Sequence, residues 1–490
     1  MSAIKKLAAQ TLTYGVSNII GRFINVLLLP IYTAYLQSAA DFGVVTVVFT
    51  LAAFLNIVYT HGMETAFFNF ARTDVGEKKS FTAAFNSVLI VSLVLATAGF
   101  LFSNSIARML DYENQAVIFK LLAGFLLFDA LSALPFAWLR QQEQSKRYVV
   151  IRLVGIFINI GLNLILIPGL LWAYNRQLIA FDPQPYFISF IFWSNFVSSA
   201  SVFLLLLPII MKNRTQIPKE LWRKMLSFGL PLILVGFAGI VNETLDRILL
   251  KILLPVGIAD TEVGIYSAFY KISIVITLFI QSFRYAAEPF FFNHTKNENP
   301  QKTYAQVMTY FVWVCGFILI LTLVFLPIIA KMLIRNQEYF ADGRGFAVVP
   351  LLLLANLFLG VYYNLSIWYK LSNKTMMGGI IASLGAGLTV VLNMLLIPSL
   401  GFVGSAWATL GAYFGMTVIS FIVGEKYYPV PYAFGRLTLN FLLLSAICLW
   451  FYIASPQPLY MVMAAIAYAA FFWILERPDK NPNFARLFKK

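Results

Sequence analysis

The chain is 490 residues long, 60% hydrophobic and only 12% charged, with a formal net charge of +15 and a mean hydropathy of +0.79. Soluble proteins run about 45–50% apolar and about 25% charged, and apolar runs long enough to cross a bilayer recur here from end to end, so a soluble protein is excluded. The surplus of 36 Lys and Arg over 21 Asp and Glu would point to nucleic acid in a soluble chain; in a membrane chain the loading of cytoplasmic loops with Lys and Arg explains it, and no nucleic-acid partner is expected.

The N-terminus, MSAIKKLAAQTLTYG, lacks a short apolar core and a small-residue cleavage site, so the first apolar run reads as a retained span. Fourteen candidate spans follow: 10–35, 41–62, 81–103, 116–138, 149–174, 187–211, 226–254, 263–289, 304–333, 346–369, 376–398, 403–424, 432–454 and 458–475. Each is about twice the length of a barrel strand and lacks strict alternation, so all are expected to be helices. The predicted fold is an all-α polytopic membrane protein. Alternate connecting segments hold nearly all the basic residues, from Lys5 and Lys6 to Lys489 and Lys490, while the others hold only Arg108, Arg176, Arg335 and Arg344. That split places both termini in the cytoplasm. All loops are short, so chemistry must occur in or near the bilayer.

The chain also repeats itself. Trp138-Leu139-Arg140, Gly155 and Leu162-Asn163-Leu164-Ile165-Leu166-Ile167-Pro168 return 230 residues later as Trp368-Tyr369-Lys370, Gly385 and Leu392-Asn393-Met394-Leu395-Leu396-Ile397-Pro398. A weaker echo pairs Asp41-Phe42-Gly43-Val44 with Glu262-Val263-Gly264-Ile265. A six-span unit keeps its orientation, which gives two parallel six-helix bundles, 1–220 and 221–428, followed by a pair of helices and a cytoplasmic tail, 429–490.

A charge at mid-bilayer costs roughly 2.5–3.5 kcal/mol on insertion scales, so buried charges usually face a cavity or one another. Asn18, Arg22 and Asn25 make one polar stripe on the first span. Arg22 lies roughly 18 Å into it, too deep for easy snorkelling, and is either a structural Arg on neighbouring carbonyls or an anion-binding Arg in a central cavity. Asp129 stands alone in the fourth span, and either carries a coupling proton or bonds a neighbouring hydroxyl. His61 and Glu64 close the second span on the cytoplasmic side.

The seventh span carries VNETLDRILLKILLP, in which Glu243, Arg247 and Lys251 share a face at i, i+4 and i+8 with Asp246 beside them. A self-neutralising ladder is one reading. Lys251, near the outer end, is expected to snorkel, while Asp246 and Arg247 are the candidates for a cavity wall. In the eighth span Lys271 lies about 12 Å from the outer end without a local counter-ion, and Arg284 with Glu288 reads as an interfacial pair. The deep positions favour cations, which suits an anionic ligand, and the Arg fork suits a phosphate best.

Other chemistries lack their motifs. The stretch Gly76-Glu77-Lys78-Lys79-Ser80 misses the first glycine of a nucleotide-binding loop, and no H-E-x-x-H or G-x-S-x-G occurs. With two His, and with Cys315 and Cys448 inside apolar runs, neither a metal site, a disulfide framework nor a bound cofactor is expected.

Asp246-Arg247-Ile248-Leu249-Leu250, Val263-Gly264-Ile265-Tyr266-Ser267-Ala268, Lys271 and Glu288-Pro289-Phe290, in that order, with Gly15-x-x-Asn18 and Asp41-Phe42-Gly43, resemble the bacterial polysaccharide (O-antigen-type) flippases of the multidrug/oligosaccharidyl-lipid/polysaccharide exporter superfamily. The resemblance implies a transporter of the cytoplasmic (inner) membrane, not an enzyme, that moves undecaprenyl-diphosphate-linked oligosaccharide between leaflets by rocking two halves about a cavity. It implies that Arg247 faces the diphosphate or sugar with Arg22 opposite, that Lys271, Asn18 and Asn25 line the same cavity, and that Asp129, Asp246 and Glu243 serve coupling or charge balance. A coupling ion, H+ or Na+, is compatible with it, as is a polysaccharide polymerase as partner. Lipid II flippases carry several arginines in their first two spans, where this chain has only Arg22. Drug antiporters of the superfamily usually carry carboxylates in the first, where this chain has none. Both stand as alternatives of the same architecture, and a glycan polymerase or ligase, which would need a large outer loop, as one of another class.

Overall fold

The computed structural model describes residues 26–72, 76–293, 299–372, 374–454 and 457–476. Among them, thirteen helices are long and apolar enough to cross a membrane. The spans expected at 41–62, 187–211, 304–333 and 403–424 are observed as Ala39–Thr60, Phe187–Asn213, Pro300–Leu333 and Phe402–Tyr427; the one expected at 226–254 begins seven residues earlier, as Lys219–Leu253. The expected first span lies mostly outside the described residues; its end, Leu29–Tyr35, is helical. The described residues are all-α and polytopic, with five spans before residue 214, six between Lys219 and Tyr427, and a C-terminal pair.

Hydroxyl side chains cross the bilayer by bonding to their own helix. Thr46, Thr50, Ser132, Ser194, Thr322 and Thr409 each donate to the carbonyl four residues back. This satisfies a polar group without a partner helix, which hydrocarbon demands. The motif at Asp41 has a local cause too. Ser38 accepts from the Asp41 N–H while the Asp41 carboxylate accepts from Ser38, a capping box that starts Ala39–Thr60. The second copy sits equivalently, with Asp260 and Glu262 in the first turn of Ala259–Tyr270, where carboxylates favour the helix dipole.

Packing divides the chain into Met1–Gly264 and Ile265–Lys490. This groups the Lys219–Leu253 helix with the first unit; the repeat boundary at 220 divides the chain by sequence likeness, which is a different criterion. In the first unit Phe67, Phe81 and Trp138 form a buried aromatic cluster, with Phe81 and Trp138 rings 5.2 Å apart. In the second, Arg344–Leu371 is the most enclosed span, and the last helix is held by Tyr468, which packs on Trp313 and Phe317 and donates to the Asn440 Oδ1 at 2.9 Å.

The repeat has a structural counterpart in two buried asparagines. Asn163 donates to the Asn159 carbonyl at 2.8 Å and accepts from the Tyr32 hydroxyl at 3.1 Å. Asn393 donates to the Thr389 carbonyl at 2.7 Å and accepts from the Ser405 hydroxyl at 2.7 Å. The prolines that end the two motifs act differently. Pro168 lies in a π-helical turn, Ile165–Gly169, after which the helix resumes, whereas Pro398 precedes a stop at Gly401, φ 57°.

The first unit's tightest feature is reciprocal. A Cβ at Gly43 would overlap the Asp260 carbonyl, and one at Gly264 would overlap the Ala39 carbonyl. Each glycine thus lies against the main chain four residues before the other, so the two echo motifs cross backbone to backbone. We expect Gly43→Ala and Gly264→Ala each to destabilise the protein by at least the ~1–3 kcal/mol typical of overpacking. Gly239→Ala, with open space around the site, should be neutral or stabilising by up to about 1 kcal/mol. Thermal denaturation in detergent checks this, and equal midpoints for all three variants would contradict it.

Candidate functional site

Asp246 and Arg247 are buried on Lys219–Leu253. The Arg247 guanidinium folds back along its own helix, where Nη1 donates to Asp246 Oδ1 at 2.8 Å and to the Glu243 carbonyl at 3.1 Å. The same Asp246 oxygen accepts the Arg247 N–H at 2.9 Å. Neighbouring residues on a helix do not normally face each other; this pair meets because the long Arg stem turns toward the helix N-terminus. Glu243, a helical turn away, is exposed. So is Asp129, with the Ser199 hydroxyl and the Arg152 guanidinium as polar neighbours. A carboxylate at mid-span needs polar partners, which Asp129 finds in the Ser199 hydroxyl and the Arg152 guanidinium.

Lys251 corrects an expectation. It does not snorkel: only 8% of it is exposed, and Nζ donates to Asp260 Oδ2 at 2.8 Å. Its ammonium also sits 4.4 Å from the centre of the Tyr112 ring, and the Tyr112 hydroxyl donates to Asp260 Oδ1 at 2.6 Å. Burial, and then the Asp260 carboxylate, push the Tyr112 phenol well above its ordinary range, so the ring stays neutral and remains a donor. The expected ladder is therefore split: Arg247 leans on Asp246, and Lys251 turns across the Pro255–Gly257 corner to an acid nine residues on.

Lys271 is half-buried in the single 3-10 turn, Lys271–Ser273, that interrupts the eighth span. It belongs to the second unit and Arg247 to the first. Arg284 is exposed and stacks 4.1 Å over the Tyr363 ring, while the side chain of Glu288 lies outside the described set. Asn18, Arg22 and Asn25 also lie outside the described residues. His61 and Glu64 are placed as a hinge and a strut. His61, at φ 31°, ends Ala39–Thr60 with Nε2 2.9 Å from the Ser87 hydroxyl, and Glu64 pairs with Arg140 at 2.7 Å.

Sequence reading missed Asp260 and Tyr112. Asp260 had a signal, since a buried Lys251 needs an acid and Asp260 follows just past a proline corner. Tyr112 had none, because it reaches Asp260 from a loop 148 residues earlier.

The fold is similar to that of solved flippase and transporter structures. A lipid II flippase, MurJ, in an inward closed conformation superposes with a TM-score of 0.68 at 14% identity, covering 94% of this chain and 98% of that one. An inward-facing multidrug resistance MATE family transporter of the MOP superfamily gives 0.60 at 12% identity, covering 90% and 95%, and a mutant of the Vibrio cholerae MATE transporter VcmN gives 0.57 at 11%, covering 87% and 98%. The chain has the exporter-superfamily fold. No curated protein matches it by sequence. The family model described as polysaccharide biosynthesis protein matches residues 7–295, more than half of the chain, and the chain belongs to that family.

Removing one partner of a buried ion pair typically destabilises by about 3–5 kcal/mol. Asp260→Asn is expected to do so by stranding Lys251, and Asp260→Asn with Lys251→Met to recover most of the loss. A double-mutant cycle on thermal unfolding measures the coupling; additive losses would show the pair to be inert.

Proposed function

We propose that the protein is a flippase that translocates undecaprenyl-diphosphate-linked oligosaccharide from the inner to the outer leaflet of the bacterial cytoplasmic membrane by alternating access. It would thereby serve surface polysaccharide biosynthesis, lipopolysaccharide included. Both termini lie in the cytoplasm in this reading, polysaccharide polymerase machinery is a partner, and membrane lipids surround the site. The observation that carries it is the buried Arg247 fork on a membrane span, in a chain of the polysaccharide biosynthesis protein family.

The chemistry follows from the pair. A diphosphate offers the planar, bidentate acceptors that a guanidinium matches best. Asp246 holds the fork oriented while no ligand is present, since Nη1 is bonded to its carboxylate and to a main-chain carbonyl. An arriving diphosphate exchanges one anionic partner of the guanidinium for another, so the cation is never bare, while the Asp246 carboxylate keeps the Arg247 main-chain N–H. Such an exchange keeps affinity moderate, which transport requires, because a carrier must also release its cargo. Arg22, Lys271, Asn18 and Asn25 supply the remaining donors in this reading. Glu243, Asp129 and Asp246 carry charge balance or a coupling ion, H+ or Na+.

Arg247→Ala with Asp246→Asn, which leaves no stranded carboxylate, is expected to abolish surface polysaccharide while protein remains in the membrane at the normal level. Arg247→Lys keeps the charge without the fork and should lower polymer output about tenfold, equivalent to about 1.4 kcal/mol. Normal polymer from both Arg22→Ala and the Arg247 double variant would overturn the assignment. Ion-gradient-driven drug efflux without any glycan phenotype would replace it with an antiporter, and loss of peptidoglycan precursor export with a lipid II flippase.

A further inference from the structure

At one end of the second unit, the start of Pro300–Leu333, the start of Phe434–Ala454 and the residue after Pro458–Leu475 enclose a cleft of about 270 Å³. Lys302, Arg436 and Glu476 line its mouth, with Pro431 beside them, and Thr309 and Tyr310 line its inner part. Two of the three helices belong to the C-terminal pair outside the repeat. The walls are mostly apolar, with a few polar groups at the mouth: Glu476 is buried and its Oε2 lies 3.5 Å from Arg436 Nη1, while Lys302 is exposed.

Position and charge both restrict the occupant. All three helix ends are those that the loop charges assign to the cytoplasmic boundary, so the mouth lies at headgroup level. Thr309 is two helical turns further in, about 10 Å deeper along the axis, at the depth of the glycerol and ester groups. Among the described lining residues, two cations and one carboxylate leave a net charge of +1. That balances one phosphodiester monoanion, with Lys302 and Arg436 as its donors; the Thr309 hydroxyl further in is bonded to the Ala305 carbonyl of its own helix at 3.0 Å. A cleft only of apolar side chains would hold an acyl tail. One of free cations on the protein surface would hold any soluble anion.

We propose that this cleft binds the headgroup of an anionic phospholipid, with phosphatidylglycerol as its simplest form, and so seats the C-terminal helix pair in the inner leaflet. The site is separate from Arg247, and the inference does not rest on the flippase reading.

Full-length protein, stripped of lipid in detergent and mixed with vesicles of phosphatidylglycerol, phosphatidylethanolamine or phosphatidylcholine, is assayed by native mass spectrometry for retained lipid. The wild type is expected to keep one phosphatidylglycerol per chain in preference to the other two. Near a membrane surface one basic side chain is worth about a fivefold change in binding. Lys302→Ala should therefore weaken retention about fivefold, and Glu476→Gln, which keeps a hydrogen-bonding group beside Arg436 but removes the opposing charge, should strengthen it. A merely structural role for these residues gives no variant that binds more tightly. Lys219→Ala, an exposed cation elsewhere, should change nothing. Equal retention of the three lipids, an unaltered Lys302→Ala, or displacement of the lipid by millimolar inorganic phosphate would each overturn the proposal.

Discussion

Two residues without side chains, Gly43 and Gly264, let Ala39–Thr60 and Ala259–Tyr270 meet main chain to main chain, and the placement of the nearby charges follows from that approach. Asp260, whose carbonyl lies against Gly43, is held where its carboxylate reaches both Lys251 and Tyr112. With Lys251 tied across the corner, the end of Lys219–Leu253 cannot rotate, and Arg247, one turn earlier, is buried on the same face. A second close approach binds the opposite end of Ala39–Thr60: a Cβ at Gly62, φ 72°, would meet the Gly229 carbonyl, and one at Gly229 would lie 2.8 Å from the His61 carbonyl. Small residues at both ends of one seam set the contact that apolar burial alone does not provide inside a bilayer.

The electrostatics obey the same constraint. Hydrocarbon offers no water to a charge, and the buried cations described in the first unit are matched by acids close in sequence: Arg247 by its neighbour Asp246, and Lys251 by Asp260. Arg247 and Asp246 share one helix, and a pair confined to one rigid element survives a change in helix arrangement, whereas a pair across a moving seam is broken in one state. Asp129 in mid-span likewise has a polar partner from another helix, the Ser199 hydroxyl.

Most of the architecture was legible because a bilayer has a fixed thickness: an apolar run of about 20 residues has one stable conformation there. Span edges at Phe187, Pro300 and Phe402 fall within a few residues of the expected ones for that reason. The Asp41-Phe42-Gly43 and Glu262-Val263-Gly264 echo was legible as a likeness but not as a contact, since sequence does not say that two copies of a motif meet. The site was legible in part. Periodicity found Arg247 and Asp246 but misassigned Lys251, because helical spacing compares residues along one straight helix, and Pro255 and Gly257 bend the chain so that Asp260 returns beside it. Tyr112 was invisible, being a loop residue whose role depends on a contact far away in sequence. Asn163 and Asn393 were read as parts of a repeat, and only their bonding shows why an amide is needed: it donates to the carbonyl four residues back and accepts a hydroxyl from another segment.

The repeat also explains an asymmetry in the charges. Arg22 of the first span and Arg247 of the seventh stand 225 residues apart, between the offsets that relate the other matched motifs. Their neighbours differ: Asp246 precedes Arg247, while Gly21 precedes Arg22. Arg247 therefore carries a counter-ion on its own helix and Arg22 carries none in its sequence neighbourhood. If both forks serve one diphosphate, as in the proposed function, their tasks are unequal. The fork with its own acid must give up a partner to bind and regains one on release, which favours exchange; the fork beside glycine has no such local competitor, which favours capture. A carrier needs both properties, and in that reading the residue before each arginine, Asp246 or Gly21, decides which of them it supplies.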